Sequence, residues 1–398
     1  MAKNLASKEI VEQKLKQAAA VLPSTGADLW VTFVQETSSG AERVFSYISP
    51  GHFTWESAIL VTREGKPTVI CGRLDQQDFE ESGLFKEVIT FVQDFKEPFL
   101  NYLKALNPKR VAVNYSLEDD SADGIPHGRF LHLESLLKEA VPGVQIISAE
   151  SIIGALISQK SALEIASIQR AVDITVEILA EIHAFLRPGL KEKEVYDFVN
   201  GRIAHRGLTP SFETLVFSGD RGAGMGHGTA TDNPIQPGDL LHVDMGVFVD
   251  GYASDMQRTW YILKPGEERA PDAARKGFDT IVKAIVSTGE ILTPGRQGVE
   301  LDNLSRSIVT GAGYPEYPHA LGHQVGRHVH DGGGLLGPAW ARYKNTPFIP
   351  LAENQVFTLE PSLNVPGFGA IGLEEDVVVT AEGARYLAKP QREMWYVK

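Results

Sequence analysis

The sequence predicts an α+β protein of two domains, a smaller α/β domain over residues 1–157 and a larger domain over residues 158–398. The chain has 398 residues, which is enough for two domains of ordinary size. Strand and helix patterns alternate through about the first 150 residues, as they do in α/β proteins. A capping-box pattern, Ser161 followed by Glu164, then begins a long amphipathic helix. The domain boundary is therefore expected just before this helix, near Ser158.

The amino-terminal domain is expected to form a mixed sheet flanked by helices. Helices are predicted at the start of the chain, near Pro98–Leu106 and near Arg129–Ala140. Each predicted strand is short, rich in β-branched or aromatic residues, and bounded by polar or turn-forming residues. These strands are DLWVTFVQE, ESAILVT, PTVICG, EVITFV, RVAVNY and VQIIS. Cys71, in the third of them, is expected to be buried.

The carboxy-terminal domain is predicted to begin with two helices. The first runs from the capping box to Arg187-Pro188-Gly189, which ends helices, and the second covers Glu192–His205. The segment GDRGAGMGHG follows and resembles a nucleotide-binding loop only loosely, since it lacks the strand, helix and acidic residue of that motif. Its glycines are expected instead to let the backbone approach a substrate and to present His227.

Two predicted hairpins then place acidic residues on shared faces. Asp250-Gly251 is a strong signal for a two-residue hairpin loop. With this loop, Asp244 lies opposite Gln257, and Asp255 lies opposite Gly246. Asp244 and Asp255 then become diagonal neighbours on one face of the ladder. Gly246 adds no side chain between them.

The second hairpin is predicted from the turn sequence PGFG at residues 366–369. With Gly367-Phe368 as a two-residue loop, Glu360 and Glu375 face each other directly. The residues on either side of Glu375 then point to the other face. Like charges that face each other destabilise a sheet, and divalent cations between the carboxylates would remove this repulsion. The two hairpins together therefore predict a metal site.

Histidines concentrate between the two hairpins. Four of the chain's 11 histidines lie within the sequence HALGHQVGRHVHD. They are His319, His323, His328 and His330. The surrounding glycines and prolines favour a loop or short strand here. Because imidazole is a common metal ligand, this cluster strengthens the prediction of a metal site, while His328 is expected to be structural.

These residues resemble the signature of the pita-bread metallopeptidases, a family that contains methionine aminopeptidase, aminopeptidase P and proline dipeptidase, with creatinase as a metal-free relative. The matching residues are Asp244, Asp255, His323, Glu360-Pro361 and Glu375-Asp376. His227 stands where the family has a further histidine before the first Asp. The motifs cover about residues 155–385. The preceding residues resemble the extra amino-terminal domain of creatinase, proline dipeptidase and aminopeptidase P in length and in strand-helix alternation.

The resemblance implies a pita-bread catalytic domain that is preceded in the chain by a creatinase-like α/β domain, and it implies two divalent metal ions per chain. The metal ligands that it implies are Asp244, Asp255, His323, Glu360 and Glu375. It also implies catalytic roles for His227, His319, His330 and Glu360, in which Glu360 is the general base and the histidines contact the substrate. Four carboxylates and one imidazole suit manganese, cobalt, iron or zinc, and manganese is expected.

The reaction that the resemblance implies is hydrolysis of a peptide bond near a free amino terminus, with an Xaa-Pro bond preferred, by a dipeptidase or an aminopeptidase. Two residues depart from the family pattern. Leu373 stands where the family has Arg, and Gln257 stands where it has Thr. These departures leave open a divergent hydrolase of the same fold that acts on a small non-peptide amide. A binding protein without activity is a third alternative, which the five retained ligands disfavour.

Composition limits the partners and the location. The formal net charge of −13 disfavours nucleic acid and anionic membranes as partners. No apolar run approaches the length of a membrane span, and the start of the chain lacks the apolar stretch of a secretory signal, so a cytoplasmic protein is expected. The single cysteine excludes an internal disulfide. A short peptide or small amide is the expected substrate, and the resemblance implies a homodimer.

Overall fold

The computed structural model describes residues 5–65, 67–221 and 228–398. The chain divides into two compact units, Met1–Ser161 and Ala162–Lys398. The first unit contains a sheet with helices, and the second contains several smaller sheets with four helices among its described residues. The predicted α+β class is therefore confirmed.

The amino-terminal unit alternates strands and helices along its whole length. Its elements are α1 (Lys8–Thr25), β1 (Leu29–Val34), α2 (Phe45–Ile48), β2 (Ser57–Thr62), β3 (Thr68–Gly72), α3 (Gln76–Ser82), β4 (Glu87–Phe91), α4 (Lys96–Leu106), β5 (Arg110–Val113), α5 (His127–Ala140), β6 (Gln145–Ser148) and α6 (Glu150–Ser158). All six predicted strands form, and the three predicted helices correspond to α1, α4 and α5. Helix α1 begins at Ser7, whose side chain accepts a hydrogen bond from the Ile10 amide, and it ends at Gly26 in the left-handed conformation.

The six strands make one mixed sheet in the order β4-β3-β2-β1-β5-β6. Strand β2 is antiparallel to β1 and β3, whereas the β1–β5, β5–β6 and β3–β4 pairs are parallel. The central strand β1 is buried along its whole length. Phe99, Leu103 and Leu133 from helices α4 and α5 join Val31 and Phe33 of β1 in a single apolar core. Cys71 is buried in β3, as predicted.

Glu42, in the segment between β1 and α2, gives a prediction about pH. Burial of its carboxyl group raises its pKa from 4.5 to about 7, although a hydrogen bond from Asn114 opposes the shift. Because the pKa is higher in the folded than in the unfolded state, this group favours folding at low pH and loses that contribution as the pH rises through about 7. Glu42→Gln, which cannot ionise, is therefore expected to gain stability relative to the unmutated protein as the pH rises.

Urea unfolding of both proteins at about pH 5 and about pH 8 measures this effect. The difference in unfolding free energy between Glu42→Gln and the unmutated protein should shift by on the order of 3 kcal/mol in favour of the variant. A difference that is the same at both pH values would contradict the burial of an ionisable group here.

The carboxy-terminal unit begins with two helices, continues into hairpins, and carries two further helices before its last strands. Its elements are α7 (Ala162–Phe185), α8 (Glu192–His205), β7 (Thr209–Pro210), β8 (Leu215–Ser218), β9 (Leu240–Met245), β10 (Val247–Val249), β11 (Tyr252–Ala253), β12 (Met256–Ile262), α9 (Asp272–Glu290), α10 (Gly298–Gly311), β13 (Val356–Leu359), β14 (Ser362–Val365), β15 (Gly369–Gly372), β16 (Glu375–Thr380), β17 (Gly383–Tyr386) and β18 (Trp395–Val397). The two predicted helices correspond to α7 and α8.

The described strands of this unit form four small sheets. Strands β18-β12-β9-β8 form one sheet, β11-β10-β7 form a second, β13-β16-β17 form a third, and β14-β15 form a hairpin. Helix α9 packs on this hairpin, and its Phe278 and Ile281 lie in one apolar core with Leu363, Val365 and Ile371. Leu359 and Leu373, the chain neighbours of Glu360 and Glu374, lie in the same core. Within the described part of the chain, none of the helices combines the length and the apolar character that a membrane crossing requires.

Candidate metal centre

The first hairpin has the predicted register. Asp250 and Gly251 both have positive φ, 51° and 77°, as the two central residues of a type I′ turn require. Gln257 lies opposite Asp244 in the β9–β12 ladder. A side chain at Gly246 would place its Cβ only 1.9 Å from the Ser254 carbonyl oxygen. Only glycine therefore fits between the two acidic residues.

The second hairpin differs from the prediction by one residue. Val365 pairs with Gly369, so the loop has three residues rather than two. Within it, the Phe368 amide donates a hydrogen bond to the Val365 carbonyl at 3.0 Å. Pro366 and Gly367 thereby occupy the two central positions of a turn, where Pro is favoured first and a residue with positive φ second. Gly367 has the required φ of 80°.

This shift changes which acidic residue joins the site, because a slip of one residue turns every side chain of a strand to its other face. Leu359 lies opposite Glu375, so Glu360 lies opposite Glu374. Glu375 points the other way, where its carboxylate accepts hydrogen bonds from Arg258 at 2.9 Å and from the Gln391 amide at 3.0 Å. The predicted facing of Glu360 and Glu375 was therefore wrong.

The inward side chains form a compact cluster. Asp255, His323 and Glu374 each present one potential ligand atom, and these three atoms lie within 4.8 Å of one another. The His323 Nε2 atom is 3.5 Å from Asp255 Oδ2 and 3.3 Å from Glu360 Oε1. Asp244 is close enough for its charge to raise the pKa values of Asp255 and Glu360. The structure thus brings Asp244, Asp255, His323 and Glu360 together, with Glu374 as the fifth member.

His323 is held as a neutral imidazole. Burial lowers its pKa to about 3, and the nearby His330 acts in the same direction. Its Nδ1 atom lies 3.2 Å from the Gln324 carbonyl oxygen, and a carbonyl can only accept, so the proton is on Nδ1. The lone pair of Nε2 therefore faces the oxygens of Asp255 and Glu360. A backbone carbonyl that fixes the histidine tautomer in this way is a common support for a metal ligand.

The carboxylates repel one another at this separation. Burial raises the pKa values of Asp244 and Glu360 to about 8. Burial and then the charges of neighbouring carboxylates raise the pKa values of Asp255 and Glu374 well above their usual range. Like charges in a shared buried site disfavour ionisation in this way.

The side chains fit divalent cations. Buried carboxylate oxygens of Asp244, Glu374 and Asp376 have no hydrogen-bond partner among the residues that the structure describes. The His323 Nε2 atom also lies 3.5 Å from an Asp255 oxygen and 3.3 Å from a Glu360 oxygen. Cations would satisfy all of these atoms, and a set of oxygens with one imidazole suits manganese, cobalt, iron or zinc.

Thr358 connects two members of the cluster, and the sequence analysis did not identify it. Its hydroxyl donates a hydrogen bond to Glu360 Oε1 at 3.2 Å and accepts one from the His323 amide at 3.0 Å. The Thr358 amide also donates to the His323 carbonyl at 2.9 Å. Thr358 thus fixes His323 against Glu360. Its position two residues before Glu360 was the signal available in the sequence, because alternate residues of an extended chain share a face.

The other predicted histidines differ in their surroundings. The His330 ring lies edge-on to the His323 ring, with 4.3 Å between centroids, so it borders the cluster. Both ring nitrogens of His319 are engaged by the protein, Nδ1 with the Ala320 carbonyl at 2.8 Å and Nε2 with the Ser362 hydroxyl at 2.7 Å. His319 could contact a substrate only by exchanging one of these bonds. His227 lies outside the described residues.

Comparison with known protein families agrees with this chemistry. The model of metallopeptidase family M24 matches residues 166–381, which is more than half of the chain and includes every residue of the cluster. The chain belongs to metallopeptidase family M24. It is accordingly a peptidase of a family that depends on divalent metal ions.

Individual relatives extend the comparison to the whole chain. An Xaa-Pro dipeptidase of Pyrococcus horikoshii is 32% identical over 237 residues, which are 59% of this chain and 64% of the relative. The crystal structure of an X-Pro aminopeptidase from Thermotoga maritima has a TM-score of 0.73 at 25% identity, over 94% of this chain and 98% of that one. An Xaa-Pro dipeptidase structure from Bacillus anthracis has a TM-score of 0.76 at 23% identity, over 97% of this chain and 100% of that one. The predicted pita-bread fold, preceded in the chain by an amino-terminal domain, is confirmed.

Proposed function

We propose that this protein hydrolyses the peptide bond before proline in short peptides with a free amino terminus, with two divalent metal ions bound by Asp244, Asp255, His323, Glu360 and Glu374. The observation that carries the proposal is the buried cluster of four carboxylates around a neutral His323, with carboxylate oxygens that lack protein partners. The names of the Xaa-Pro dipeptidase and X-Pro aminopeptidase relatives support the proline preference. Manganese is the proposed metal, and a homodimer is proposed from the resemblance to the family.

Different residues of the chain would bind the metal ions and position the metal ligands. When bound, divalent ions at such a site polarise the scissile carbonyl and lower the pKa of a water molecule. Four ligand side chains are held in place because their residues lie on packed strands or next to paired residues. These ligands are Asp244, Asp255, His323 and Glu374. Gln257 lies opposite Asp244, and its side-chain amide is within hydrogen-bonding range of Asp244 and of Glu360. It would therefore help to position both carboxylates.

Glu360 is proposed as the general base. Its carboxylate lies inside the cluster, with Oε1 3.3 Å from His323 Nε2, so it would border a water molecule held there. It would accept a proton from the attacking water and deliver it to the leaving nitrogen. His330, beside His323, is proposed to contact the substrate and stabilise the developing oxyanion. The proposals for His227 and His319 rest on the family resemblance.

The revised register also changes one of the two departures from the family pattern. With Glu374 directed into the cluster, the residue two positions before it is Gly372, and Leu373 is a buried core residue. Leu373 therefore replaces no charge at the site. The Thr259 hydroxyl instead donates a hydrogen bond to the Gly372 carbonyl at 2.8 Å. The absence of a cationic side chain at position 372 is the feature that could alter recognition of a substrate carboxylate.

Hydrolysis assays on metal-stripped protein test the proposal. Gly-Pro, Ala-Pro and Ala-Pro-Ala are offered after chelation, and again after addition of manganese or cobalt. We expect activity to fall at least about a hundredfold on chelation and to return with metal, because the ions supply several kcal/mol of transition-state stabilisation. Glu360→Gln should remain inactive even after metal is added, because it lacks both a metal ligand and the general base. Gly-Ala, which lacks proline, serves as the control substrate.

Each outcome has a defined meaning. Cleavage of the dipeptides alone identifies a dipeptidase, and cleavage of Ala-Pro-Ala identifies an aminopeptidase. If the protein binds metal and cleaves none of these peptides, the proline preference is wrong and a small non-peptide amide becomes the expected substrate. Activity that survives complete removal of metal would contradict the proposed mechanism.

A further inference from the structure

A cavity in the amino-terminal unit lies outside the metal centre. It has a volume of about 310 Å³ and is lined by the end of β1, by the segment that follows β1, and by the segment from the loop after β5 to the start of α5. These two strands are parallel neighbours, and the chain leaves them in opposite directions, from β1 to β2 and from β5 to β6. Crevices of this kind, at the point where strand order reverses, are where ligands bind in open α/β sheets. The volume is at the lower end of the range for small-molecule sites.

The wall of the cavity contains a fixed carboxylate. Glu42 Oε2 accepts a hydrogen bond from the Asn114 side chain at 2.8 Å. Asn114 is held in turn by the Trp30 indole at 2.6 Å and the Thr32 hydroxyl at 3.1 Å. The second oxygen, Glu42 Oε1, is buried and has no hydrogen-bond partner within the described residues. A buried carboxylate oxygen in this state favours a cationic donor.

Cationic side chains lie on the same wall. Arg129, in the first turn of α5, lines the cavity and is close enough to lower the pKa of Glu42. Arg43 also lines it, and its guanidinium group is 3.6 Å from Asp120 at the rim. Gln35, Thr37 and Ser121 add hydrogen-bonding groups, and Phe33 and Pro126 add apolar surface. The wall therefore carries three acidic residues, Glu42, Asp120 and Asp123, and two arginines, Arg43 and Arg129, together with a small apolar patch.

We propose that this cavity binds a small zwitterion, an α-amino acid or a very short peptide, with its ammonium group on Glu42 and its carboxylate on Arg129. An amine alone would pair with Glu42 but would leave Arg129 without a bound anion. A carboxylate alone would pair with Arg129 but would leave the Glu42 carboxylate without a cationic donor. A molecule with both groups meets both needs, and guanidinium groups bind carboxylates with favourable geometry. Every residue that lines the cavity belongs to the amino-terminal unit, whereas the residues of the metal centre belong to the carboxy-terminal unit.

Calorimetric titration of the full-length protein tests the proposal. The probes are glycine, alanine, proline and leucine, with ethylamine and propionate as ligands that carry only one of the two charges. The titrations use metal-stripped Glu374→Gln protein, so that binding at the metal centre is suppressed. We expect at least one amino acid to bind and both single-charge ligands to bind at least about tenfold more weakly.

Two variants locate the binding site. Glu42→Gln and Arg129→Met, each placed in the Glu374→Gln background, should each weaken amino-acid binding at least about tenfold. Arg129 is partly exposed, so Arg129→Met decides the question even if Glu42→Gln unfolds, and melting without ligand checks the fold of both. Amino-acid binding that neither variant weakens would overturn the proposal. So would the absence of binding below about 10 mM for every zwitterion, or equal binding of ethylamine or propionate.

Discussion

Glu374→Gln is expected to lower kcat/KM for Xaa-Pro substrates by about a thousandfold, because loss of a metal ligand removes several kcal/mol of transition-state stabilisation. The same substitution removes one of the mutually repelling carboxylates. Burial and the charges of its neighbours raise the pKa of the Glu374 carboxyl group. Without metal, the variant should therefore melt no lower than the unmutated protein. Kinetics, metal content by elemental analysis, and melting in chelator measure the three effects.

Glu375→Gln is the matched control, since it makes the same change at the next residue. Glu375 faces Arg258 and Gln391 rather than the cluster. This variant should keep its metal and lose less than about tenfold in kcat/KM, but it should be less stable, because it weakens a buried ion pair. If Glu375→Gln lost metal while Glu374→Gln kept it, the register of the second hairpin described here would be wrong.

Arg258→Met is expected to lower the free energy of unfolding by about 3–5 kcal/mol, the usual cost of leaving one partner of a buried ion pair uncompensated. Arg258 and Glu375 are 2% and 1% exposed, and 2.9 Å separates their charged groups. The guanidinium group also donates to the Glu374 carbonyl at 2.8 Å and to the Gln257 carbonyl at 2.9 Å. It thereby joins β12 to the backbone that carries Glu374. Urea unfolding of the metal-stripped protein measures the loss.

The double variant Arg258→Met, Glu375→Met separates the ion pair from the other bonds of Arg258. Replacing both partners of a buried pair by apolar residues is often close to neutral. The double variant should therefore be more stable than Arg258→Met alone, although the two carbonyls remain without their donor. A double variant that is less stable than Arg258→Met would show that the pair does not act as a unit.

The first hairpin could be predicted because its turn allows one register. Asp250-Gly251 suits a two-residue loop, in which both central residues need positive φ, and that loop fixes the relation of Asp244 to Asp255. The six strands of the amino-terminal unit were also predictable, since each is a short apolar run between turn-forming residues.

The second hairpin was harder to predict because its turn sequence allows two loops. Pro366-Gly367 suits the centre of a type II turn, whereas Gly367-Phe368 suits a two-residue loop. Two consecutive acidic residues, Glu374 and Glu375, follow the turn, so either register places a carboxylate in the cluster. Hydrophobic patterning did not separate the registers, because the strand is buried on both faces. Arg258, which pairs with Glu375, lies 117 residues away in the chain, and no local pattern reveals that contact.

The cavity near Glu42 was likewise beyond the sequence analysis. Glu42, Asn114 and Arg129 lie in three separate segments that only the sheet brings together. None of them belongs to a motif with a known spacing. Contacts of this kind depend on tertiary packing and become visible only in the folded chain.

The most direct test of the metal centre is a crystal structure of the manganese-loaded protein, with an anomalous difference map at the manganese edge. We expect two peaks per chain, bound by Asp244, Asp255, His323, Glu360 and Glu374, with Glu375 still paired with Arg258. Manganese peaks elsewhere, or a peak bound by Glu375 in place of Glu374, would contradict the metal centre proposed here.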